Sequence, residues 1–268
     1  MDYTLNIRGR LLSLEMPQVM GILNATPDSF YAGSRQQTER EIAQRSREIV
    51  EQGGSIIDVG AYSTRPGHAE VSQEEEMARL RMALGIVRSE FPDAVVSVDT
   101  FRSDVARMAV EEFGVGIVND VSEGSDPAMF RTVARLGVPY VLTSVQPDLT
   151  ATLMAFARKV QALRDLGQKD IILDPGYGFG KTVDENFALL QRQERLQVLD
   201  LPLLVGVSRK SMIWKKLGIT PDEALNGTTV LHTVALMKGA SILRVHDVRE
   251  AVECCQLIAA MESQTNCK

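Results

Sequence analysis

The chain has 268 residues, 44% of them hydrophobic, enough for one large domain burying roughly three-quarters of the surface its unfolded form exposes. Lys and Arg number 29 against 35 Asp and Glu, and the net charge of −6 argues against a nucleic-acid surface. No apolar run approaches the ~20 residues that cross a bilayer, the opening Met-Asp-Tyr-Thr lacks a signal core, and Cys254, Cys255 and Cys267 have neither metal nor bridge spacing, so a cytoplasmic, reduced protein is expected.

In chain order, residues 3–14 read as a hairpin turning at Arg8-Gly9, placed to cover the bottom of the domain. Apolar, Val/Ile/Leu-rich runs then recur at 19–23, 55–60, 95–98, 116–118, 140–142, 171–173, 203–207 and 242–245. Such runs are what parallel strands covered on both faces look like. Helical patterns separate them at 38–52, 73–90, 103–113, 128–136, 153–166, 185–196 and 229–238, with a last one at 249–261. Ser72 with Glu75 predicts a capping box, Gly53-Gly54 and Gly137 predict helix ends, and Asp126-Pro127 predicts an N-cap followed by a first-turn proline. The alternation predicts a single (β/α)₈ TIM barrel over 18–262, with an N-terminal hairpin at 1–17 and a tail at 263–268. A doubly wound open sheet is the competing arrangement, because strand count does not prove closure.

Polar residues follow the apolar runs: Asn24, Asp58 to Arg65, Asp99, Asn119-Asp120, Asp174 to Lys181, Ser208 to Ser211, and Arg244 to Asp247. In a closed barrel these positions meet at one mouth, where active sites are built. A single Asp or Asn after a strand is also an ordinary turn former or cap, and Asp104 is read that way. A carboxylate at the end of a buried strand needs a partner, so the joint occurrence of Asp58, Asp99, Asn119 and Asp174 points to a polar site. Alternation puts Arg244 and His246 on one face of the last strand.

Gly180-Lys181-Thr182 resembles the end of a phosphate loop, but Pro175 stands where that motif needs its first glycine. Gly176, Gly178 and Gly180 instead suit either close approach to a flat ligand or a structural turn. Ser63, Thr64, Arg65, Ser208 and Lys210 offer hydroxyls and cations for a small anion, with Arg209 pointing away and Lys215-Lys216 on the surface. His232, among apolar neighbours on a helix, is read as a packed core histidine.

The segments MGILNATPDSF, IIDVGAYSTRPG, VSVDTFR, IVNDVS, ILDPGYGFGK, GVSRKSM and GASILRVHDV, in this order, closely resemble the dihydropteroate synthase family over almost the whole chain. The resemblance implies the same barrel and a condensation of 6-hydroxymethyl-7,8-dihydropterin diphosphate with 4-aminobenzoate by SN1-like alkyl transfer, in folate biosynthesis. It implies that Asp99, Asn119, Asp174 and Lys210 read the pterin, with Asp58 supporting the pocket floor. Phe30, Arg65, Pro66, Phe179, Lys210 and Ser211 would surround aminobenzoate. Asn24, Thr64, Arg65, Arg244 and His246 would hold the diphosphate, making the ligand the anionic partner of Arg244 and His246, with Asp247 capping the next helix. Catalysis would rest on Asn24, Arg65, Lys210, Arg244 and His246.

The resemblance further implies Mg²⁺ with Asn24 as its protein ligand, a homodimer, sulfonamide sensitivity, and no nucleic-acid or membrane partner. Three departures stand out: Tyr62 where the family commonly has Glu, Ala32 where it has Asp, and Leu142 to Pro147 in place of a Met/His-rich piece. The rival readings are a pterin-binding corrinoid methyltransferase, which needs no diphosphate site, and a non-catalytic pterin-binding paralogue. Substitution of Lys210 or Arg244 by Ala is expected to lower turnover far more than stability.

Overall fold

Arg8 and Gly9 take φ of 53° and 88°, the left-handed pair that a two-residue type I′ hairpin turn requires. Across that turn β1 (Thr4–Ile7) and β2 (Arg10–Ser13) pair antiparallel, as the sequence predicts. The structure is a computed structural model that describes residues 3–25, 32–61 and 71–265.

Eight parallel strands come next: β3 (Gln18–Asn24), β4 (Ile56–Gly60), β5 (Val95–Asp99), β6 (Ile117–Asp120), β7 (Tyr140–Thr143), β8 (Ile171–Asp174), β9 (Leu203–Val205) and β10 (Ala240–Val245). The last strand, β10, pairs with both β9 and β3, so the sheet closes and the open-sheet alternative is excluded. The described helices around it are α1 (Ala32–Glu51), α2 (Gln73–Glu90), α3 (Ser103–Phe113), α4 (Met129–Leu136) and α5 (Leu149–Asp165). They continue with α6 (Val183–Gln191), α7 (Ser211–Leu217), α8 (Leu225–Met237) and α9 (Val248–Thr265).

The two-residue period of the strands sorts the core into two clusters. Val19, Leu23, Ile57, Val59, Val96 and Val98 join the helices in the outer cluster. Met20, Ile56, Ile117, Val141, Ile172, Leu204 and Ile242 fill the barrel's lower interior, where Leu5, Ile7 and Leu14 from the hairpin region pack against them. The hairpin therefore stoppers the bottom, and the strands' carboxyl ends form the opposite mouth.

Local signals hold with some corrections. Ser72 caps α2 through the Glu75 N–H, and Gly137 ends α4 in the left-handed conformation. Asp126 does not cap α4, whose N-cap is Ala128; its carboxylate instead accepts the Ser103 N–H at the start of α3 and the Ala128 N–H. The helix expected over 185–196 is α6 followed by a 3₁₀ turn at Gln193–Leu199. The short α7, stopped by left-handed Gly218, has no counterpart among the expected helices, and α9 continues to Thr265 where a tail is expected from 263.

Candidate active site

Above the apolar floor the same strand parity turns Asp58, Ser97, Asp99, Asn119, Thr143, Asp174 and Arg244 into the barrel. Asp58, Asn119 and Asp174 are buried, and the Asp99 side chain retains one-fifth of its exposure. Arg244 reaches across the barrel, its Nε donating to Asp58 Oδ2 at 2.6 Å and its Nη2 to Asp99 Oδ2 at 2.5 Å. Asn119 Nδ2 donates to the same Asp58 oxygen at 3.1 Å. Two carboxylates of the protein therefore face Arg244 at the place where the resemblance expects an anionic ligand, and Nη1 takes part in neither bond. Asp58 holds Arg244 as well as supporting the floor.

The electrostatics result from burial. Burial opposes the Arg244 charge, but Asp58 and Asp99 outweigh it and hold its pKa above the ordinary guanidinium value. Burial pushes Asp99 up to about 7; Arg244 pulls it down, and Asp58 adds to the push. Asp174 is likewise raised by burial against the pull of Lys210, while its Oδ1 accepts the Gly176 N–H at 2.8 Å. Lys210 is pushed down to about 8 by burial, with Asp174 opposing. Its ammonium donates to the Tyr177 carbonyl and lies 4.5 Å from the centre of the Phe179 ring.

At the rim, Asn24 ends β3 and is exposed, and His246 comes directly after the adjacent β10. His246 Nδ1 lies 3.1 Å from Ser208 Oγ, which also accepts the His246 N–H at 3.1 Å. Ser211 opens α7 next to Lys210. Asp247 is not a helix cap by its side chain: its carboxylate takes both Nε and Nη2 of Arg209 at 2.8 Å, fixing the outward-turned, left-handed Arg209. Phe30, Thr64, Arg65, Pro66 and Tyr62 lie outside the described residues.

The glycines after β8 have a structural explanation. Gly176, Gly178 and Gly180 all have φ between 62° and 85°, and a β-carbon on Gly176 would stand 1.8 Å from the Ser144 carbonyl oxygen. Lys181 donates to the carbonyls of Ser144, Gly176 and Phe179, tying this loop to the one after β7. In the departing 142–147 segment Gln146 grips Glu123 at 2.9 Å, and Thr143 buries its side chain in the barrel. Thr143 is a further inward-facing residue, and its two-residue offset from inward-facing Val141 is the sequence signal for it. Asp120, its parity outward, holds the Tyr140 hydroxyl at 2.7 Å and is structural.

A closed barrel whose mouth gathers buried carboxylates, a carboxamide and cations has the architecture on which barrel enzymes build their active sites. Residues 20–246 match the pterin binding enzyme family. The chain is 38% identical over 270 aligned residues to the dihydropteroate synthase of Escherichia coli K12, covering 94% of both. It superposes on Xanthomonas albilineans dihydropteroate synthase with 4-aminobenzoic acid at a TM-score of 0.90 and 34% identity, over 98% of this chain and 99% of that one. For the Yersinia pestis enzyme with a pterine-sulfa conjugate the TM-score is 0.85 at 32% identity, over 98% and 99%. The chain belongs to the pterin-binding enzymes, and within them to the dihydropteroate synthases.

Proposed function

We propose that the barrel mouth condenses 6-hydroxymethyl-7,8-dihydropterin diphosphate with 4-aminobenzoate, the pterin lying deepest. The observation that carries the reading is the interior set of Asp58, Asp99, Asn119 and Asp174 facing Arg244 and Lys210. The aminopyrimidine edge of a pterin presents N–H donors, which Asp99 and Asp174 accept, while Asn119 both donates and accepts. Lys210 donates to the ring from the other side and, with Phe179, Ser211, Phe30, Arg65 and Pro66, borders the aminobenzoate.

The diphosphate then lies at the rim against Asn24, Thr64, Arg65, Arg244 Nη1 and His246. As the C–O bond breaks, its electron pair leaves with the diphosphate and the pterin methylene becomes cationic. The aminobenzoate nitrogen attacks with its lone pair and loses a proton. Arg244, Arg65 and His246 lower the barrier by meeting charge as it develops on the leaving oxygens, and the stacked pocket holds a weak nucleophile in line.

Among the described residues no group of three or more His, Cys, Asp or Glu is placed to hold a metal ion. The exposed Asn24 carboxamide offers one hard oxygen, which fits Mg²⁺, an ion usually held by few protein atoms together with substrate phosphates. When bound there, Mg²⁺ would neutralise leaving-group charge. A homodimer is supported by Val230 and Met237 on α8 and Leu257 and Met261 on the adjoining α9, all exposed apolar side chains. The buried, free Cys254 and Cys255 suit the reducing cytoplasm.

The test incubates purified protein with Mg²⁺, pterin diphosphate and 4-aminobenzoate and measures dihydropteroate. Pterin binding without product would overturn the assignment in favour of a non-catalytic pterin binder. Light scattering reads the oligomeric state.

A further inference from the structure

Four polar atoms of the barrel interior are buried without a hydrogen-bond partner: Asp58 Oδ1, Ser97 Oγ, Asn119 Oδ1 and Thr143 Oγ1. They lie on four successive strands, β4 to β7. Buried polar atoms are nearly always paired, so a contiguous row of orphans marks a surface shaped for something that pairs with them. Asp58 and Asn119 already belong to the proposed pterin floor. Ser97 is level with Asp58 in the strand register, two residues below Asp99 on β5.

Thr143 is different. It ends β7, two residues nearer the mouth than Val141, which is the register neighbour of Asn119, and it stands level with Asp174 on β8. Its methyl group is packed on the Gly176 turn, 3.1 Å from where a β-carbon there would lie. The hydroxyl, on another bond of the same carbon, is buried and meets no partner. A buried methyl would fill that place without the cost of an unpaired hydroxyl.

We propose that Thr143 Oγ1 is a ligand-reading group, forming a hydrogen bond to a ring atom of the bound pterin beside the one held by Asp174. The inference rests on the proposed pterin site and adds to it a polar contact in a wall formed by the unusual 142–147 segment. A hydroxyl can donate or accept, so it complements either kind of ring atom and favours ligands polar at that edge.

The test compares the wild type with T143V, which keeps shape and removes the hydroxyl, and T143S, which keeps the hydroxyl. Binding of 6-hydroxymethylpterin is measured by calorimetry and thermal unfolding is monitored without ligand. The expected result is about tenfold weaker pterin binding by T143V, with a melting temperature equal to or above that of the wild type, and near wild-type binding by T143S. Unchanged affinity in T143V, with the wild type binding pterin, would overturn this inference alone. So would a lower melting temperature in T143V with no recovery of affinity in T143S, since the hydroxyl would then be serving the fold. A wild type that binds no pterin would overturn the functional reading and this inference together.

Discussion

Arg244 Nε stands 2.6 Å from Asp58 Oδ2, a bond that joins β10 to β4 across 186 positions of the chain. With the Asp99 contact it makes Arg244 an electrostatic cross-brace of the barrel interior as well as a proposed diphosphate ligand. R244A should therefore lose stability as well as turnover, by about 3–5 kcal/mol, because it leaves buried carboxylates unpaired. The sequence-based expectation of a selective effect on turnover is revised for this residue. In urea titrations the double variant R244A/D58N should regain part of the lost stability, whereas its turnover should remain that of R244A. A double variant no more stable than R244A would show that the brace does not contribute.

Lys210 keeps the simpler expectation. Its ammonium bonds one carbonyl and faces one ring, so K210A should leave the melting temperature within a few degrees while lowering turnover at least about a hundredfold, the scale of a lost preorganised donor. Loss of both to the same degree would assign Lys210 to the fold.

The pH dependence arises from Asp99 and Lys210. On the proposed assignment, pterin binding needs Asp99 ionised, which requires pH above about 7, and Lys210 protonated, which requires pH below about 8. The pH profile of kcat/KM, which reports the free enzyme, should rise through about 7 and fall beyond about 8. D99N should flatten the acid limb and K210R the alkaline one, each at reduced activity. A profile flat from pH 6 to about 9 in the wild type would contradict the assignment of Asp99 and Lys210 to pterin binding.

The sequence exposes most of the architecture because each apolar run is succeeded by a turn and a helical pattern, and parity then places Asp58, Asp99 and Asp174 inward. What it hides is who pairs with whom. Arg244 and Asp58 are brought together only by closure, which no local pattern encodes. Asp126 and Asp247 look like caps of the helices next to them, but the distant Ser103 N–H takes one Asp126 oxygen and the Arg209 guanidinium takes both Asp247 oxygens. Thr143 hides because a threonine in an apolar strand carries no sign of whether its hydroxyl is satisfied.

His232 supplies a stability prediction away from the site. It is buried on α8, and burial pushes its imidazole down to about 4 from the ordinary 6.5. Between those values the unfolded chain binds more protons than the folded one, so stability falls as pH drops from about 6.5 to about 4. The full effect is about 3 kcal/mol. H232Q should flatten that part of the stability profile in denaturant titrations, and an unchanged slope would refute the assignment.

Gly176 gives the sharpest backbone test. G176A combines a φ of 69° with a β-carbon 1.8 Å from the Ser144 carbonyl oxygen, so the loops after β7 and β8 must part. A destabilisation above about 2 kcal/mol is expected, together with loss of pterin affinity. A variant that melts and binds like the wild type would show that this loop is not held by the Gly176 contact.

The hairpin that packs Leu5, Ile7 and Leu14 into the barrel floor turns the enzyme into a cul-de-sac. Whatever is read by Asp58, Asn119 and Asp174 at the far end of such an alley has to arrive before anything parked at its entrance, and departs only after the entrance clears. On the proposed assignment the pterin is therefore the first guest in, and the joined product leaves by the lane through which its two halves came, with diphosphate vacating the rim ahead of it.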